Sequence, residues 1–258
     1  MRHPHPGNAL LADNDPTPVR IAGDLQSRGP FLLIGDHAGW AIPAKLGDLG
    51  LPPAERARHI AVDIGVEELG LALAERLAAP FLRQSYSRLV IDCNRDPADP
   101  TAMPEISDGT PVPGNRGLRP LEREARIEAI SAPYHRAIAD ALDSRADAGL
   151  PTILISLHSF TPRMNGHDRP WHFGVLHDGH ADAFARAVLD RLREAAHFVT
   201  ADNEPYRMDT VDYTVPRHAF PRGLPYLELE VRQDLIGPGS DRTGGIADLL
   251  AEVFTACA

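Results

Sequence analysis

Phe31-Leu32-Leu33-Ile34-Gly35-Asp36-His37 is the stretch on which the reading of this chain turns. Four apolar residues suited to a buried strand are cut off by a glycine and then by two polar residues able to do chemistry. The pattern recurs along the chain. Residues 89–93 run into Asn94 and Arg95, residues 153–157 run into His158 and Ser159, and residues 226–231 contain Glu228 and Glu230. Short apolar runs that alternate with long helical patterns are the βαβ signature of a sheet covered on both faces. In such sheets ligands bind beyond the carboxyl ends of the strands, so the polar residues that end these runs form the candidate site.

Between the runs, Val66, Leu69, Leu73 and Leu77 recur at helical spacing and predict an amphipathic helix over 59–79, ended by Pro80. A second helix is expected from Pro120 through Ile127, Ile130, Tyr134, Ile138 and Leu142, kinked at Pro133. Further helices are expected over 179–195 and 244–256, and further strands at 173–176 and 198–200. Segments 94–117 and 202–223 have no periodicity and are rich in His, Arg, Asp, Asn, Pro and Tyr, as functional loops are. Residues 1–30 read as an extended N-terminal arm, with acidic residues and prolines where an export signal needs an apolar core. Residues 31–258 read as a single catalytic α/β domain.

With 258 residues, 43% of them hydrophobic, the chain can bury a sizeable core. Its net charge of −10 argues against nucleic acid or an anionic membrane as the main partner. No apolar run approaches the eighteen or so residues needed to cross a bilayer. Cys93 and Cys257 are too far apart in sequence to suggest a disulfide framework or a CxxC metal site, and they suit a reducing cytoplasm. A small-molecule partner remains. There is no GxSxG, P-loop or GxGxxG, so serine-hydrolase, NTPase and Rossmann-dehydrogenase chemistry lack their signatures, and nothing marks Ser159 as an activated nucleophile.

His37 and His158, on separate strand ends with a carboxylate nearby, can form the open three-ligand site of a hydrolytic zinc. A lone histidine at a strand end is more often structural; four polar strand ends together shift the balance. Asp63 is preferred as the third ligand over Asp36, because adjacent Asp36 and His37 would point different ways on a continuing strand. Asp63 also lies four residues after His59 on the expected helix, a spacing that equally suits a surface ion pair. Glu228 and Glu230 share one strand face, and burying both without partners would be costly. Glu230, nearer the carboxyl end, is the candidate general base. Arg95 offers a fork for a substrate carboxylate, with a salt bridge to Asp92 or Asp96 as the plainer alternative. Arg123 and Arg126, at i,i+3, could form a second anion clamp or simply a solvated face. The substrate-binding candidates are Asn94, Arg95, Arg126 and His218.

The longer motifs are Gly35-Asp36-His37-Ala38-Gly39 with Ile42-Pro43, residues 59–65 (His-Ile-Ala-Val-Asp-Ile-Gly), residues 87–95 (Ser-Arg-Leu-Val-Ile-Asp-Cys-Asn-Arg), Ser107-Asp108-Gly109, Pro133-Tyr134-His135, residues 157–162 (Leu-His-Ser-Phe-Thr-Pro) and Glu228-Leu229-Glu230-Val231-Arg232. In this order they resemble the N-formylglutamate amidohydrolase family over roughly residues 30–256. The resemblance implies the three-layer αβα fold of zinc-dependent exopeptidases (phosphorylase/hydrolase-like), with a mixed sheet of about eight strands. It implies one zinc ion on His37 and His158, an Asn94-Arg95 pair on a substrate carboxylate, and Glu230 as the catalytic glutamate. The departure is at Trp40, where the peptidases' His-x-x-Glu motif places its ligand glutamate. The implied reaction is hydrolysis of an N-acyl amino acid such as N-formyl-L-glutamate, a compound of histidine degradation. Its second carboxylate would need a further cation, for which Arg126, Arg163 and Arg169 are candidates. A carboxypeptidase-like exopeptidase and a metal-free binding protein with the same fold are the competing readings.

Overall fold

The computed structural model describes residues 10–195 and 197–258; the first nine residues of the expected N-terminal arm lie outside them. The chain passes through β1 (Val19–Ala22), β2 (Phe31–Gly35), α1 (Pro53–Arg56), α2 (Val66–Leu77), β3 (Phe81–Gln84), and the hairpin of β4 (Ile106–Ser107) and β5 (Thr110–Pro111). Next come α3 (Pro120–Arg126), α4 (Ala132–Asp147), β6 (Ile153–Phe160), the hairpin of β7 (Arg163–Met164) and β8 (His167–Asp168), β9 (Phe173–Leu176) and α5 (Ala183–Glu194). It ends with β10 (Thr200–Asp202), α6 (Thr214–His218), β11 (Tyr226–Arg232) and α7 (Thr243–Cys257). Seven strands make one mixed sheet in the order β1-β3-β2-β6-β11-β9-β10, against an expectation of about eight. The four strands β3, β2, β6 and β11 are parallel, so three of the polar strand ends, those of β2, β6 and β11, open on one edge. β1, from within the expected arm, pairs antiparallel with β3 at the sheet edge.

Alternation along the strands gives the sheet two apolar faces. Phe31, Leu33, Ile155, Leu157, Leu227 and Leu229 pack with residues of α2, α5 and α7 on one side. Leu32, Ile34, Leu154 and Tyr226 pack with Tyr134, Ile138 and Leu142 of α4 on the other. Each such side chain removed from water contributes about 1.5–3 kcal/mol. Toward the carboxyl ends the second face changes character: in β6 Leu154 is followed on that face by Ser156 and His158, and in β11 Tyr226 by Glu228 and Glu230. Register places Glu230 beside His158 and Glu228 beside Ser156. The fold thus converts the apolar face into a polar floor within two residues of each strand.

Four expectations need correction. Residues 89–93 are not a strand; the strand that pairs with β2 is β3, eight residues earlier, whose Arg83 and Gln84 disguise it in the sequence. Arg83 Nε donates to Glu67, and the Gln84 Oε1 accepts the Ser85 and Tyr86 amides, so both polar side chains have a partner where they are buried. The helix expected over 59–79 starts only at Val66, because Gly65 adopts φ +86° and a Cβ there would lie 2.2 Å from the Ile236 carbonyl oxygen. His59 and Asp63 therefore lie in turns and share no helix face. The last short strand is 200–202 rather than 198–200. The expected kink at Pro133 is present as a wide π-turn over Ile127–Ser131 between α3 and α4, next to a proline that has no N–H to give.

Candidate active site

The structure brings His37, Asp63 and His158 together at the carboxyl ends of β2 and β6. Each is at most 3% exposed. Asp63 Oδ2 lies 3.3 Å from His37 Nδ1 and 3.0 Å from His158 Nδ1. One ligand atom from each of the three can be chosen so that all lie within 4.8 Å of one another, the spacing that a single metal ion requires. Second partners hold the rings in this pose. His37 Nε2 meets Asp92 Oδ1 at 2.7 Å, and His158 Nε2 meets Ser156 Oγ at 3.0 Å. A carboxylate on the outer nitrogen of a ligand histidine is the usual way of fixing its tautomer and orientation. The donor set, two imidazoles and one carboxylate, therefore fits a divalent metal.

Local structure explains each position. Gly39 lets the chain after His37 press against the end of β3, where a Cβ would come within 2.2 Å of the Ser85 backbone. The Asp63 amide donates to the His37 carbonyl at 3.0 Å, which ties the two ligand-bearing loops together. Arg88 completes the floor, giving 3.1 Å to Asp63 Oδ1 and 2.7 Å to Asp92 Oδ2. Burial alone would raise the Asp63 carboxyl, but His37, the bonds from both histidines and Arg88 outweigh it and hold the group well below the usual range. Burial would lower His158, yet the Asp63 bond and the Glu228 carboxylate keep it well above its usual value.

The floor bounds a cleft of about 220 Å³, lined also by Asn94, Arg95, Tyr206, Arg207, Asp209, Asp212, Glu228 and Glu230. Glu228 and Glu230 are buried, and each has a carboxylate oxygen, Oε2, without a hydrogen-bond partner among the described residues. Burial raises both, partly opposed by His158: Glu228 well above the ordinary carboxyl range, Glu230 to about 7. Two carboxyls on one face thus titrate far from solvent values, as proton-transfer groups do. Arg95 reaches the cleft but pairs with neither Asp92 nor Asp96. Its Nη1 donates to the Asn94 and Val211 carbonyls, with Asp212 at 3.9 Å, so its Nε and Nη2 edge remains available. Asn94 accepts the Tyr213 and Thr214 amides and donates one amide hydrogen to Asp212, holding the 203–213 loop against the site.

Other candidates fall elsewhere. Arg126 is 1% exposed and spends its guanidinium on the Val90 and Gly114 carbonyls and Asn115 Oδ1, so it cannot reach the cleft. Arg123 caps the Pro97 and Asp99 carbonyls, and the two do not form an anion clamp. His218 lies behind the site: its Nε2 is 3.0 Å from His135 Nδ1, and His135 Nε2 is 3.0 Å from the Cys93 carbonyl. Because a carbonyl oxygen can only accept, His135 carries its proton on Nε2 and His218 on Nε2, and the stacked pair props the Asn94-Arg95 segment from the rear. Asp36 is buried, with neither oxygen hydrogen-bonded among the described residues, and lies 3.7 Å from His158 Nε2. Trp40 is 71% exposed and does not line the cleft; the carboxylate that lies with His37 and His158 is Asp63, from another loop. His59 lines the cleft with its Nε2 3.4 Å from Asp108, not paired with Asp63. The Ser159 hydroxyl donates to the Ile64 carbonyl. Asp92 and Arg88 carry more of the floor than their sequence context suggested; their i,i+4 spacing was the available signal.

Residues 29–237 match the family model of N-formylglutamate amidohydrolase. Among solved structures, a gene product of Agrobacterium tumefaciens is 34% identical with a TM-score of 0.91, over 96% of this chain and 97% of that one. An N-formylglutamate amidohydrolase from Ralstonia eutropha JMP134 is 20% identical with a TM-score of 0.70, over 93% of this chain and 96% of that one, and shares the fold. No curated protein matches the chain. Among the described residues, no helix is long and apolar enough to cross a membrane.

Proposed function

The chain belongs to the N-formylglutamate amidohydrolase family and is a hydrolase of C–N amide bonds; we propose that it cleaves an N-formyl amino acid, such as N-formyl-L-glutamate, to formate and the free amino acid. In this reading it works in the cytoplasm on a small-molecule substrate. His37, Asp63 and His158 would hold one divalent ion, zinc by the two-imidazole and one-carboxylate donor set. When bound, such an ion supplies a Lewis acid that polarises a carbonyl and acidifies water.

The observation that carries the reading is Glu230: it stands beside His158 across the β6–β11 pair, lines the cleft, and has an unpartnered carboxylate oxygen. Raised to about 7 by burial, it can accept a proton from the attacking water near neutral pH and return it to the departing amine. Arg95, with its free guanidinium edge, holds the α-carboxylate, and the second amide hydrogen of Asn94 assists. Arg88 keeps Asp63 and Asp92 ionised and the two histidines aligned. The closed floor and the anion anchor favour a short substrate with a carboxylate next to the scissile amide.

The test is a formate-release assay on a panel of N-formyl amino acids, run beside dipeptides, with metal analysis of protein purified without chelator. About one metal ion per chain with release of formate and little dipeptide cleavage is expected. Dipeptide cleavage in place of formate release would make the protein an exopeptidase; stoichiometric metal without either activity would overturn the substrate assignment.

A further inference from the structure

Among the described residues, three guanidinium groups line the cleft: Arg88, Arg95 and Arg207. Arg88 is committed to Asp63 and Asp92, and Arg95 is turned by its bonds to the Asn94 and Val211 carbonyls. Among the described residues, Arg207 engages no hydrogen bond, ion pair or ring. Its base is nevertheless fixed. Tyr206 on one side is gripped by Arg169, whose Nη1 donates 3.2 Å to the phenol oxygen while the guanidinium lies 5.0 Å over the ring. Met208 on the other side is 6% exposed and packs in the core beneath α4. A long cation is thus held at the cleft on a pinned segment, with its own charge unanswered.

The acidic residues around it sharpen the point. Asp209 and Asp212 also line the cleft, but their oxygens serve the loop itself: Asp209 Oδ1 accepts the Val211 amide, and Asp212 accepts the Asp209 amide and the Asn94 side chain. These carboxylates would repel a substrate bearing two negative charges unless a free cation meets the second one. Arg126 is buried elsewhere, and Arg163 lies beside Asp168, with a side chain 67% exposed. Arg169 is taken up by Tyr206, Thr161 and Met164.

We propose that Arg207 is the specificity-determining residue that receives the side-chain carboxylate of an acidic N-formyl amino acid while Arg95 holds the α-carboxylate. This rests on the hydrolase reading above. The ratio of kcat/KM for N-formylglutamate to that for N-formylleucine should exceed one in the wild type and fall about tenfold or more in Arg207→Ala. Arg207→Glu should lower it further, and Arg207→Lys should restore part of it. Dissociation constants for the same two compounds, measured by calorimetry on metal-loaded Glu230→Gln protein with and without Arg207→Ala, should show the same loss of selectivity. Hydrolysis with a ratio that Arg207→Ala does not move would overturn the proposal and leave the proposed function standing. Absence of hydrolysis in the wild type, with selective binding that still depends on Arg207, would support the anchor and overturn the hydrolytic reading. Equal binding of both compounds to proteins with and without Arg207 would overturn the anchor.

Discussion

The floor and the rim of the cleft are built by opposite means. Floor residues His37, His158, Glu228 and Glu230 stand on or directly after β2, β6 and β11, and their places follow from strand register; Asp63, Asp92 and Arg88 are locked to them by short bonds. Rim residues Arg95, Tyr206, Arg207, Asp209 and Asp212 come from two long loops that hold each other through Asn94. A floor of this kind fixes reacting groups to within a few tenths of an ångström, which chemistry demands. The rim needs only to present charge, and loops suffice for that. Substitutions in the floor should therefore act on turnover and metal, and those in the rim on substrate affinity and choice.

The largest effect is expected at Glu230. Glu230→Gln keeps the shape and removes proton acceptance, so kcat should fall by about 10² or more with metal content retained. Glu228→Gln should cost much less, since Glu228 lies one strand repeat further from the carboxyl end, beside Ser156 rather than His158. Steady-state kinetics on both variants decide: a dead Glu228→Gln and an active Glu230→Gln would transfer the base to the other glutamate.

Next in size is Asp92, which lies outside the cleft lining and meets His37 Nε2 from behind. Asp92→Asn should weaken metal affinity about 10- to 100-fold, read by competition with a chromogenic chelator. Unchanged affinity would mean that the 2.7 Å contact does not orient a ligand. On the rim, Arg95→Lys keeps the charge and loses the planar fork; kcat/KM should drop about tenfold, or 1.4 kcal/mol, chiefly through KM. A loss confined to kcat would place Arg95 with the floor.

The contrast also explains what could be read without coordinates. Strand ends that break an apolar run with His, Asp or Glu are visible because burial makes such residues expensive, and this exposed His37, His158 and Glu230. The position of β3 was hidden, since Arg83 and Gln84 look unsuited to a buried strand until Glu67 and the 85–86 amides are seen to partner them. Residues 89–93 were attractive for the opposite reason: they are apolar because they fill the core under α4 as a turn, and Asp92 among them belongs to the site. Arginines misled most. Arg126 and Arg95 are equivalent as letters, and only the carbonyls that surround Arg126 show it to be a brace.

The smallest effect on the reaction, and a clear one on stability, is expected from the histidine pair behind the rim. Burial lowers His135 to about 4, with Arg217 adding to it and Asp36 opposing, and lowers His218 to about 3, with His135, Arg217 and Arg222 adding to it. Unfolded, both titrate near 6.5. Between about 6.5 and 4 the unfolded chain therefore binds more protons than the folded one, and stability present above 6.5 is lost as pH falls through that window. For His135 alone the loss amounts to about 3 kcal/mol by pH 4. Denaturant unfolding from pH 7 to 4, with chelator present throughout so that metal release adds nothing, should show a steeper decline for the wild type than for His135→Gln/His218→Gln. The glutamine at 135 can still donate to the Cys93 carbonyl, so near pH 7 the variant should keep most of its turnover when metal is supplied. Parallel declines would show that the pair titrates as it does in the unfolded chain, and that the Asn94-Arg95 segment is held without it.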